Sequence, residues 1–188
     1  MGFMTLEAVK KTFFIAFIFI AGNLLHATED DTTPYIKYAK EIMNPFIEEC
    51  EKKYHLDCIG TGGRFANNVG EIEISFIAYR KGSIEEARTL EVNLIEKILA
   101  QINAHEKIRP FLNNYPFESK NIDISVAFRK EDNSCYTDGS VVLVFLARNK
   151  LFYKTEDPKT ENRIDLYDEP YIDALKIVNS KSSEAKKI

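Results

Sequence analysis

Cys50 and Cys58 stand eight residues apart with His55 between them, and two chemistries suit that arrangement. In an oxidising compartment a Cys50–Cys58 disulfide would close a short loop and contribute roughly 2.6 kcal/mol. In the other reading Cys50 remains a reduced thiol packed in the core. Zinc accepts sulfur and imidazole nitrogen, with Asp57 or Cys135 as a further ligand. The spacing, however, matches none of the usual paired-ligand patterns and no second close pair follows, so neither a metal nor another cofactor is expected. Gly60-Thr61-Gly62-Gly63-Arg64 has the glycines and the cation of a phosphate cradle. It leads toward a strand and lacks a Lys followed by Ser or Thr, so it reads as a bend or bulge. Nucleophilic catalysis would draw on Cys135 with His55 or His105, and neither histidine lies in a catalytic motif. No catalytic residue is therefore assigned, and an exported hydrolase using Cys135 or a histidine stands as the alternative to a non-catalytic domain.

The strongest positional signal is at the amino terminus. Lys10 and Lys11 precede an apolar run over residues 12–25, which is followed by Leu25-His26-Ala27 and then by Glu29, Asp30 and Asp31. A basic flank, an apolar stretch of about 13 residues and a small residue at a cleavage point are the parts of a secretory signal. The reading is a signal peptide over 1–27, one domain over 28–179 and a frayed tail over 180–188. Export to the periplasm or beyond follows from it. An uncut leader would instead anchor the chain by residues 12–25, the one route to a membrane partner. Of the 188 residues, 45% are hydrophobic, which excludes a disordered chain. Net charge is only −4 and the basic residues form no block, so a nucleic-acid partner is not expected.

Hydrophobic periodicity supplies the elements. Ile36, Ala39, Met43, Cys50 and Tyr54 recur at helical steps, with Pro45 placed to kink or divide the helix. Over residues 71–79, Ile72, Ile74, Phe76 and Ala78 alternate with polar partners as in a one-sided strand. Ser83 and Glu86 match a capping box for a long helix carrying Leu90, Leu94, Ile98 and Ile102. Residues 122–128 alternate again, and 140–147 is apolar on both faces, as in a central strand. A hairpin strand at 151–154, a polar loop over 155–163 and a helix through Tyr171, Leu175 and Val178 complete the chain. The expected fold is α+β. It is a two-layer sandwich with a mostly antiparallel sheet of about four strands, covered by the long helix and flanked by amino- and carboxy-terminal helices.

If helices cover the face carrying Ile72, Ile124 and their neighbours, the opposite face presents Glu71, Glu73, Ser75, Tyr79, Asp123, Ser125 and Arg129. Val142, Val144 and Leu146 are read onto that same side as an apolar strip within a polar rim. The expected function is an exported, non-catalytic binding or accessory domain whose partner is a protein or a small ligand. Glu86-Ala87-Arg88, Ile102-Asn103, Ile108-Arg109-Pro110-Phe111-Leu112 and Tyr115-Pro116-Phe117 together resemble a pattern of small exported bacterial proteins of unassigned function. The resemblance covers residues 71–128, is consistent with export and implies no activity.

Overall fold

The computed structural model describes residues 33–185. The leader reading over 1–27 and the last residues of the tail lie outside this range. Helix α1 (Pro34–Tyr54) leads into β1 (Asp57–Arg64) and β2 (Glu71–Ala78). Helix α2 (Ile84–Ala104) crosses to β3 (Ile122–Phe128), followed by β4 (Leu143–Ala147), β5 (Lys150–Glu156), β6 (Arg163–Pro170) and α3 (Tyr171–Ala185). The six strands form one sheet in sequence order, antiparallel throughout except for the parallel pair β2–β3 that α2 bridges.

This corrects the expected four-stranded sheet under one long helix. The sheet is mixed and has six strands, and three helices share the covering of one face. Two strands were missed for identifiable reasons. β1 holds three glycines and pairs with β2 through a bulge between Cys58 and Gly60, so its alternation is broken. β6 is an edge strand whose residues are exposed from Arg163 to Asp168, so no buried face marked it. α3 also runs on to Ala185, through part of the stretch that composition marks as a frayed tail.

Pro45 does not divide α1. It sits on the solvent side of the helix, where the carbonyl it leaves without a donor can reach water. The buried stripe of α1, including Ala39, Ile42, Phe46 and Cys50, packs inward, with Phe46 edge-on to Phe76 of β2 at 6.4 Å. At the start of α2, Ser83 accepts a hydrogen bond from the Glu86 N–H at 3.1 Å, while the Glu86 carboxylate meets Arg80 at 2.7 Å. The crossing from α2 to β3 is held by Asn103, which accepts from the Phe117 N–H at 2.7 Å and donates to the Phe117 carbonyl at 3.0 Å. Arg109 lies over the Tyr115 ring at 4.7 Å, and the Tyr115–Pro116 peptide bond is cis.

The core lies between the helices and the inner sheet face, where Ile72, Ile74, Phe76, Ile124, Val126, Phe128, Val144, Leu146 and Tyr153 are buried. Gly82 approaches this core closely. A Cβ there would fall 2.7 Å from the Phe128 ring, and Phe128 is itself 0% exposed within the core. Gly82→Ala should therefore destabilise the fold by about 1–2 kcal/mol, read as a lower urea midpoint at unchanged slope.

Candidate functional site: the uncovered sheet face

Register fixes what the outer face presents. Ser75, Ser125, Phe145, Phe152 and Asp168 form one continuous row across β2 to β6. Ile77, Ala127, Leu143, Lys154 and Asp165 form the next. Gly62, Glu73 and Asp123 start the row on the other side. Among the described residues no helix covers these side chains, and none of them is fully buried. At the centre, Phe145 and Phe152 stack with ring centroids 5.4 Å apart and planes within 17°. Ile77, Ala127 and Leu143 extend this apolar patch toward the start of β4. A shallow hollow of 340 Å³ opens beside Phe152, bounded by Asp165, Leu166, Tyr167 and Asp168.

Charge is unevenly compensated around that centre. Lys150 pairs with Asp168 and Lys154 with Asp165, so the acids of β6 are neutralised. Glu71 meets Arg64 at 3.2 Å. Glu73 and Asp123 face each other across the parallel strands, and neither has a cationic partner among the described residues. The Glu73 carboxylate lies against Gly62, where a Cβ would come within 3.1 Å of Oε2. Partial burial, followed by repulsion from Glu73 and Glu71, raises the Asp123 pKa from its ordinary value. At the far end of the face Tyr79 donates to Asn133 at 3.1 Å, and Arg129 is engaged by the Phe128 carbonyl and the Cys135 sulfur.

Glu71, Glu73, Tyr79, Asp123 and Arg129 thus all share the outer face, as the alternation of β2 and β3 implies. Val142 and Val144 do not. Val144 is 0% exposed on the inner side, because it pairs with Val126 and Tyr153, whose side chains point into the core, and Val142, just before β4, is 0% exposed as well and presents no surface. Leu143, Phe145 and Ala147 are the outward residues of β4. They were missed because a strand apolar on both faces carries no parity signal of its own; parity became readable only from its pairing with Ser125 and Phe152.

The cysteine readings are also resolved geometrically. All three thiols are free, so of the two readings of Cys50 the reduced core thiol holds and no Cys50–Cys58 bridge is formed. Cys50 is buried in α1, and burial pushes its thiol up to about 12. Cys58 is half-buried at the β1 bulge and donates weakly to the Gly60 carbonyl. Cys135 has Arg129 and Glu156 as its titrating neighbours, and burial raises its pKa, the opposite of what activates a thiolate nucleophile. His55 caps the end of α1 in a left-handed conformation with φ 53°. His105 accepts from the Ile108 N–H at Nδ1 and lies 3.7 Å from Glu41 at Nε2. Among the described residues no three His, Cys, Asp or Glu side chains gather as a metal site would require, and no helix is long and apolar enough to cross a membrane. No family model matches this chain, and no curated protein or solved structure does either.

Proposed function

We propose that this chain is an exported, non-catalytic binding domain that docks a polypeptide on its uncovered sheet face. The observation that carries the reading is the Phe145–Phe152 stack, an aromatic platform at the centre of a six-stranded face that no helix among the described residues covers. Two aromatic rings and three aliphatic side chains within a charged rim have the composition of an interface core and rim. Sheet faces left to water more often alternate toward polar residues, as β2 does at Glu71, Glu73 and Ser75. Export is supported by the basic, apolar and small-residue succession of residues 10–27.

A photo-crosslinking residue placed at Ser125, in the central row, tests the docking face against the same residue at Glu96 on the helical side. In the producing cells, a discrete adduct should form from position 125 and not from 96. Adducts of equal yield from both positions, or none from 125, would remove this face from the reading. Intact mass of the recovered chain tests export in the same sample, since export predicts loss of residues 1–27 and full-length material confined to the cytosol would contradict it.

A further inference from the structure

The uncompensated carboxylates narrow the partner, provided the docking face is the one proposed above. Asp165 and Asp168 in the central rows are already matched by cations, so a polypeptide seated on Phe145 and Phe152 meets paired, uncompensated negative charge at Glu73 and Asp123. Asp57, opposite Ile77 on the edge strand β1, adds a further acid without a cationic partner among the described residues. Like charges directly opposite on paired strands cost stability, and a cation arriving between them relieves that cost. Phosphate groups would be repelled at the same place. Asp123 and Phe145 lie on adjacent strands one side-chain row apart, hence about 8 Å from each other by ordinary strand spacing and rise. A lysine or arginine two or three residues from an aromatic or aliphatic side chain on one extended segment spans that distance.

We infer that the partner segment is a basic and apolar polypeptide, with a Lys or Arg held between Glu73 and Asp123 and apolar side chains resting on the Phe145–Phe152 stack. Arg129 at the opposite end does not compete for the two carboxylates, because it points to Cys135 and the Phe128 carbonyl. Exposed charge pairs are weak individually, so the cation supplies selectivity and the aromatic platform supplies the contact area.

Two synthetic peptides test this, one with a pair of lysines between phenylalanines and one with both lysines replaced by glutamine, each carrying the same fluorophore. Anisotropy titrations at low salt should show the lysine peptide binding at least tenfold tighter. Glu73→Gln with Asp123→Asn should erase that ratio while leaving the glutamine peptide unaffected. Ser125→Lys and Phe152→Ser, each checked for native circular dichroism, should weaken both peptides. Equal binding of the two peptides to wild type, still lost in Phe152→Ser, would overturn the charge inference and leave the docking face standing. Binding indifferent to Phe152→Ser and Ser125→Lys would remove the docking face itself, and absence of binding by the lysine peptide would overturn the inference outright.

Discussion

Arg88→Ala should lower the stability of this domain by about 3–5 kcal/mol, the cost of leaving a buried charge without its partner. Arg88 and Glu169 are 2.7 Å apart with side chains only 14% and 4% exposed. The Tyr153 hydroxyl donates to the same Glu169 oxygen at 2.5 Å. Burial, then this hydrogen bond, raises the Tyr153 pKa above its ordinary value, so the phenol stays a donor at any physiological pH. Glu169 is the residue before Pro170, where β6 hands over to α3, and Arg88 is in the second turn of α2. The pair therefore ties the middle helix to the last strand and the last helix. Tyr171 adds a parallel tie by donating to Glu96 at 2.8 Å.

The expected loss is dominated by the orphaned Glu169. Arg88→Met combined with Glu169→Met should consequently cost less than either single change, since no charge is then left uncompensated. Urea unfolding of wild type, Arg88→Met, Glu169→Met and the double variant closes the cycle, with Arg88→Ala measured beside them. A loss below about 1 kcal/mol for Arg88→Ala would mean that water reaches Glu169 and that the pair is effectively a surface bridge.

How far the sequence could be read depended on whether burial imposed a period. The helices are legible because α1 and α2 each bury one stripe, and the Ser83 cap marks where α2 starts. β2 and β3 are legible because Ile72 to Ala78 and Ile122 to Phe128 alternate without interruption. β6 is not, because an edge strand exposed on both sides obeys no alternation. β1 fails for a different reason: its bulge at Ile59 shifts the register, and Gly60, Gly62 and Gly63 contribute no side chains to count. The candidate face was legible on its β2 and β3 half alone. Its aromatic centre, Phe145 and Phe152, comes from strands whose parity is set by cross-strand pairing, a property of the assembled sheet. Arg88 and Glu169 are 81 residues apart, and nothing local in either segment announces that they meet.

Glu91→Met should do the reverse of Arg88→Ala and raise stability at neutral pH by about 1–3 kcal/mol, the ordinary cost of a buried polar group left unsatisfied. Glu91 is on the buried side of α2, is 0% exposed, and neither carboxylate oxygen has a hydrogen-bond partner of good geometry among the described residues. Burial drives its pKa well above the usual carboxylate range, and Asp123 of β3 adds to the shift. The nearby Leu146 N–H of β4 opposes it only in part. Tyr153 of β5 and Tyr171 of α3 are the other titratable groups that interact with it.

The pH dependence follows from linkage. Below about pH 4 both folded and unfolded chains keep the proton on Glu91, and the carboxyl costs only its missing hydrogen bonds. As pH rises, the unfolded chain releases a proton that the folded state retains, so the penalty grows until the raised folded pKa is reached. The Glu91→Met gain should therefore be smaller at pH 4 than at pH 7, while Glu91→Gln should recover only the part that varies with pH. A gain of the same size at both pH values would show that packing, and not the proton, sets the cost of Glu91. No gain at pH 7 would show that the carboxyl is satisfied in solution.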